Sequence, residues 1–205
     1  MDSKTFFSLT IKYFQDKELA GQLLPVARKF LSDPALLTNE WNYKNTYTMD
    51  DGLAVQPELK SFTDLILEKS RDYLSEQNIK LKPKYDLWVS MFASEMLMGN
   101  EHAAHNHPGA LLSGIFYLNV PLGSSNIEFQ NPRHSSPAWR NFLDEFSYEN
   151  KDSFVKVRPD HTIVIKPEPG LFLLWESWAT HRVPPNQSIE GRTTLVFNVG
   201  VDHID

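Results

Sequence analysis

Residues 167–185 read PEPGLFLLWESWATHRVPP. The apolar and aromatic run GLFLLW follows a Pro/Gly cluster and gives way to polar residues before His181, the pattern of a short strand held between turns. Outward in both directions the same texture recurs. YDLWVSMFASEML, ALLSGIFYLNV, SNIEFQ, HTIVIK and RTTLVFNVGV are short runs of β-branched and aromatic residues, separated by clusters such as PLGSSN and KPEPG. Several short strands at this spacing predict a sandwich, jelly roll or barrel across residues 84–205. SSPAWRNFLDEFSYENKD, residues 135–152, is polar with scattered aromatics and reads as an excursion inserted between strands.

Residues 1–83 have a different texture. FSLTIKYF (7–14) alternates as a strand does, and Leu19, Leu23, Ala27 and Phe30 then recur at helical spacing. Pro25 falls inside that pattern, and a proline there predicts a break or a fresh helix start. The clearest helix is PELKSFTDLILEKSRDYLSEQN, with Pro57 at its start and Leu59, Phe62, Ile66 and Tyr73 on one face. The expected architecture is α+β but mainly β, with N-terminal helices packed outside a β core. One domain is expected over residues 1–205, with 1–83 as support and 84–205 as core.

The whole chain limits the function classes. Its 205 residues suffice for one buried core, and 41% hydrophobic with 12% aromatic residues is a globular composition. The net charge of −6 comes with no Lys/Arg stripe, so no nucleic-acid partner is expected. Cysteine is absent, which removes disulfides, thiolate ligands and a thiol nucleophile. MDSKTFFSLTIKYF carries Lys12 inside its one apolar run and makes a poor signal peptide. No run approaches the ~20 apolar residues of a membrane span. A soluble, cytoplasmic protein is expected, without a membrane partner; the sequence leaves its oligomeric state open.

Three of the seven histidines fall in EHAAHNHP, residues 101–108. In an extended strand, residues i and i+2 face the same way, so His105 and His107 present two imidazoles on one face. His181 is a candidate third ligand from a distant strand. Imidazole suits iron, zinc and copper, and three protein ligands leave positions open for substrate or oxygen. On spacing alone, a metal site and ordinary loop histidines both remain open. Arg192 opens the apolar strand RTTLVFNV eleven positions after His181. Its planar fork suits a carboxylate and stays charged when desolvated; an ion pair with a surface acid is the plainer alternative.

Together these segments resemble the iron(II)- and 2-oxoglutarate-dependent oxygenases, and within them small bacterial and phage members of the prolyl-hydroxylase type. The resemblance runs from Trp88 to Asn198. The family pattern G-x-x-Y-x-x-H-x-D appears as Gly99, His102, His105 and His107, followed by SGIFYLN with Tyr117 and then FQNPR. The most specific block is PEPGLFLLWESWATHRVPP with Arg192-Thr193-Thr194 after it. The implied fold is a double-stranded β-helix, a distorted jelly roll.

The resemblance implies that His105 and His181 bind Fe(II). It also implies that Arg192, with the Thr194 hydroxyl and Tyr117, holds the far carboxylate of 2-oxoglutarate. Dioxygen would be the oxidant, with 2-oxoglutarate decarboxylated to succinate as a small molecule, amino acid or peptide is hydroxylated. One position departs from the pattern: an aspartate or glutamate is usual where His107 stands. His107 is taken as the third ligand; the alternatives leave iron with two histidines or recruit Glu101 or Glu128. A neutral imidazole leaves the site one charge more positive, which favours an anionic cosubstrate.

A cupin-type metal enzyme is the rival in the same architecture, since Gly99 and His105-x-His107 match the start of its first motif. The glutamate expected next is replaced by PGALL, and Gly170 and His181 are too far apart for its second motif. A non-catalytic metal or 2-oxoglutarate sensor on the same fold is a further alternative. No G-x-S-x-G, P-loop or H-E-x-x-H is present. Trp175, Trp178, Phe172 and Phe197 are expected to pack the core, though Trp175 and Glu176 are close enough in sequence to His181 to reach a pocket. His102 and Arg133 are possible pocket residues. His134, His161 and His203 are expected to be structural or exposed.

Overall fold

The computed structural model describes residues 8–38, 41–48, 50–131, 154–158 and 162–203. β1 (Ile11–Gln15) leads into α1 (Lys17–Leu31), whose first turn is capped by the Asp16 carboxylate accepting from the Leu19 N–H at 2.9 Å. α1 runs unbroken through Pro25, against the break expected there. The proline lies on the exposed side, where water can take the Gly21 carbonyl it frees, while Ala20, Leu23, Ala27 and Phe30 keep one continuous buried face. β2 (Lys44–Asn45) follows, then a short turn of 3-10 helix from Pro57 to Leu59, and α2 (Lys60–Glu76). Leu59, Phe62, Ile66 and Tyr73 are buried as their spacing predicts.

The remaining strands are β3 (Tyr85–Met96), β4 (His102–His105), β5 (Leu112–Asn119), β6 (Ile127–Phe129), β7 (Val155–Val157), β8 (Ile163–Ile165), β9 (Leu171–Glu176), β10 (His181–Val183) and β11 (Arg192–His203). They form two antiparallel sheets, in the orders β1-β9-β5-β11-β3-β2 and β4-β10-β6-β8-β7. These two sheets form the double-stranded β-helix core, with α1 and α2 packed outside the six-stranded sheet. The expected excursion at 135–152 lies outside the described residues.

Strand alternation decides what each face meets. On β11, Leu195, Phe197 and Val199 turn toward the helices, and on β3 Leu87, Val89, Met91 and Ala93 do the same. The intervening residues turn inward: Ser90, Phe92, Ser94 and Met96 from β3, and Arg192, Thr194, Val196 and Asn198 from β11, line a cavity between the sheets. Ile115, Phe129, Leu173 and Trp175 form an apolar cluster in that inter-sheet space, with Ile115 and Trp175 reaching the cavity wall.

Gly114 on β5 lets the six-stranded sheet pack closely. A Cβ there would overlap the Phe197 ring and stand 2.6 Å from the Leu173 carbonyl oxygen. Gly114→Ala is expected to destabilise the fold by about 1–3 kcal/mol through overpacking. Thermal unfolding checks this, and a melting temperature equal to that of the parent would contradict the packing described.

Candidate functional site

Antiparallel pairing of β4 with β10 sets His105 directly opposite His181, although the two are far apart in sequence. His107 lies two residues beyond His105, past the end of β4. Its backbone N–H donates to the Ser177 carbonyl at 3.0 Å, which ties that turn to the segment after β9. One nitrogen from each of His105, His107 and His181 lies within 4.8 Å of the others, the sole such metal-capable group among the described residues. His105 Nδ1 donates to the Ala103 carbonyl at 2.8 Å, and His181 Nδ1 donates to the Ala179 carbonyl at 2.9 Å. A carbonyl only accepts, so both rings carry their proton on Nδ1 and leave Nε2 as a bare lone pair.

One pair in this donor set has the spacing of two ligands on a single ion. Two imidazole nitrogens each ~2.1 Å from a common metal, at 90–110°, stand roughly 3.0–3.4 Å apart. The Nε2 atoms of His107 and His181 are 3.3 Å apart. All three ligand candidates are nitrogens, which suits iron, zinc, copper or nickel and not a hard oxygen-seeking ion. Neither Glu101 nor Glu128 belongs to this group of ligand atoms. Glu101 is exposed, and both Glu128 oxygens bond to arginines on the opposite face of β6 from Phe129.

His102 stacks on His105 with ring centroids 3.9 Å apart and planes at 14°, and Tyr43 Oη bonds to its Nδ1 at 2.8 Å. It is therefore a neighbour that props a candidate ligand. Tyr43, unmarked in the sequence, is the residue that orients it. Burial, aided by repulsion from the adjoining rings, pulls His102 and His107 down to about 3 and His181 to about 4; burial lowers His105 too.

The four rings are thus neutral at physiological pH. The unfolded chain takes up these protons near pH 6.5, so it binds more protons than the folded chain below that value. Stability of the metal-free chain is expected to fall as pH drops from about 6.5 toward 4. A melting temperature that stays level across that window would show that the cluster is not buried and neutral.

Arg192 sits at the inner end of the cavity and is 1% exposed. It donates to the Ser125 carbonyl at 2.9 Å and to the Met96 sulfur at 2.8 Å, its guanidinium lies 5.6 Å from the Tyr117 ring centroid, and its buried Nε has no hydrogen-bond partner. No surface acid pairs with it among the described residues, against the plainer expectation. Tyr117 is fully buried with an unpartnered hydroxyl that burial pushes up to about 12. The Thr194 hydroxyl bonds to Ser94 Oγ at 2.8 Å, and both residues line the cavity. A fully buried cation beside an orphaned hydroxyl is a costly arrangement until an anion meets both.

The cavity holds about 580 Å³ and joins the histidines to Arg192, a size typical of sites for small molecules. Trp175 lines it and packs 5.0 Å from the His181 ring, with its indole N–H unpartnered. Phe172 and Phe197 are core residues, but Trp178 is 42% exposed because β9 has ended and the chain has turned. Glu176 is half-buried with one unpartnered oxygen and does not reach the cavity wall. His203 is exposed; Arg133, His134 and His161 lie outside the described residues. Sequence reasoning missed the aromatic wall, where Trp41 approaches Tyr47 (4.8 Å), Phe92 (5.6 Å) and His102 (4.9 Å). The polar-aromatic alternation Trp88, Ser90, Phe92, Ser94 was its one local signal.

Glu128 is 2% exposed and takes the Arg182 guanidinium at 2.7 and 2.8 Å and Arg158 at 2.5 Å. Arg182 neighbours His181, so this pair anchors β10 to β6. Glu128→Ala is expected to lower stability by about 1–3 kcal/mol, read as a shift in the denaturation midpoint; an unmoved midpoint would show that the anchor is dispensable.

Residues 86–198 match the family described as "Putative 2OG-Fe(II) oxygenase". The fold is similar to that of a Pseudomonas putida prolyl-4-hydroxylase, with TM-score 0.62 and 11% identity over 93% of this chain and 91% of that one. It is also similar to the epimerase SnoN in complex with Fe3+, alpha ketoglutarate and nogalamycin RO, with TM-score 0.62 and 12% identity over 95% and 81%. HygX from Streptomyces hygroscopicus, with nickel and 2-oxoglutarate bound, gives TM-score 0.58 and 8% identity over 93% and 82%. At such identities the likeness is one of fold. No curated protein sequence matches the chain. Among the described residues, no helix is long and apolar enough to cross a membrane.

Proposed function

Because the chain belongs to the 2-oxoglutarate- and iron(II)-dependent oxygenase family, matched over more than half its length, we propose that His105, His107 and His181 hold one Fe(II) and that Arg192 holds 2-oxoglutarate. Iron, 2-oxoglutarate and dioxygen supply an oxidation of a second substrate coupled to decarboxylation of the cosubstrate to succinate. The substrate is a small molecule, or an amino acid or peptide, and the reaction is a hydroxylation. Residues 1–83 buttress the core at 84–205 within one domain.

The residues divide the work. His105 and His181 keep Nε2 free because their Nδ1 protons are committed to backbone carbonyls. Tyr43 holds His102 against His105 and so limits rotation of that ring. At the inner end Arg192 supplies the planar fork for the distal carboxylate, Tyr117 offers a hydroxyl proton, and Thr194 is steadied by Ser94. The single observation that carries the assignment is the buried guanidinium, without a counter-ion among the described residues, lining the same cavity as three convergent imidazoles.

Anaerobic calorimetry tests it. The full chain is expected to bind one Fe(II), and to bind 2-oxoglutarate more tightly with the metal than without it. Iron uptake with no 2-oxoglutarate binding would reject the oxygenase site in favour of a cupin-type metal centre.

A further inference from the structure

The outer end of the cavity holds a second polar device. Arg192 and Asn198 share the inward face of β11 and stand six residues apart, roughly 20 Å along the strand. They therefore mark opposite ends of one recess. Ser113 and Ser177 are both buried, and their hydroxyls are 2.9 Å apart. Ser113 Oγ donates to Asn198 Oδ1 at 2.8 Å.

A hydroxyl has one proton to give, so Ser113 commits its proton to Asn198 and takes the proton of Ser177. This relay has one direction. It turns the Asn198 oxygen toward the sheet and leaves the amide NH2 as a fixed donor on the cavity wall.

Flat apolar surfaces flank that donor. A Cβ at Gly200 would stand inside the Trp88 indole, so the absence of a side chain there lets the indole lie across β11. Trp41 is held among Tyr47, Phe92 and His102 and forms the wall next to the histidines. Among the described residues that line the cavity, Arg192 alone carries a formal charge. Aromatic faces favour rings, and a fixed N–H2 favours a carbonyl oxygen.

Building on the proposed function, we infer that this outer recess is the subsite for an uncharged, ring-bearing substrate that offers a carbonyl oxygen to Asn198. Among the described residues of the wall, a carboxylate would find only Arg192, which the cosubstrate occupies; an ammonium would meet ring faces but no carboxylate to offset its lost hydration.

The test uses three probes that share one ring and differ in charge: indole-3-acetamide, indole-3-acetate and tryptamine. Each is titrated by anaerobic calorimetry into the full chain loaded with Fe(II) and 2-oxoglutarate, after 2-oxoglutarate binding has been measured on the same sample. The amide is expected to bind at least fivefold more tightly than either charged probe. Asn198→Asp, which turns the donor into an acceptor in the same shape, is expected to weaken the amide about tenfold or more. Trp41→Leu, in a loop, is expected to weaken it severalfold and serves if the first variant does not fold.

An acetate or amine that binds as tightly as the amide, no binding of any probe, or amide binding unmoved by the variants overturns the subsite. Failure of 2-oxoglutarate to bind rejects the underlying function instead, and so the two failures are told apart.

Discussion

Arg192→Met is expected to abolish 2-oxoglutarate binding while leaving the chain as stable as the parent or more so. The guanidinium is buried and has only a carbonyl and a thioether as partners in the described structure. Burial pulls its proton affinity down, the mark of an uncompensated charge. Replacing a buried charge with an apolar side chain of similar length is commonly neutral or stabilising. Removing one partner of a desolvated charge pair instead costs about 2–5 kcal/mol of binding, roughly thirtyfold to several thousandfold in affinity. Arg192→Lys keeps the charge but not the fork, and an intermediate loss is expected. Calorimetry with 2-oxoglutarate and thermal unfolding of the same samples decide the matter. A destabilised Arg192→Met chain that still binds 2-oxoglutarate would make Arg192 a structural residue.

The second large effect concerns His107. His107→Ala is expected to weaken Fe(II) binding by about a hundredfold, since loss of outer partners alone lowers metal affinity ~10–100-fold. His107→Asp restores the carboxylate usual in the family. It is expected to keep iron while making the site one charge less positive, so that 2-oxoglutarate, a dianion, binds more weakly. Competition against a coloured chelator measures the metal. Unchanged affinity in His107→Ala would remove His107 from the ligand set and leave the 3.3 Å approach to His181 as a hydrogen bond between imidazoles.

What the sequence revealed was what local periodicity encodes. β11 and α2 are spelled out by their alternation and by Pro57, because each buries one face against the same layer. Pro25 misled because a proline's cost depends on which side of the helix faces water, and that is a tertiary fact. Trp178 misled for a related reason: it follows the apolar run GLFLLW but lies beyond the end of β9. His181 could be named from the residues as a candidate partner of His105, but only the family resemblance favoured a shared metal, since the β4–β10 pairing that joins them leaves no mark in local spacing. Of the aromatic wall, the alternation on β3 was legible, but the part built by Trp41, Tyr43 and Tyr47 was not. Those residues come from a loop before α2 and reach the cavity through long-range packing against β3 and His102.

Succinate formation reads the oxygenase activity of this site directly. Purified chain with Fe(II), 2-oxoglutarate, ascorbate and dioxygen is expected to release succinate above an iron-free control even without its substrate, and to lose that release in His181→Ala and in Arg192→Met. Background succinate in a chain that binds both iron and 2-oxoglutarate would contradict the account and mark the protein as a sensor on an oxygenase fold.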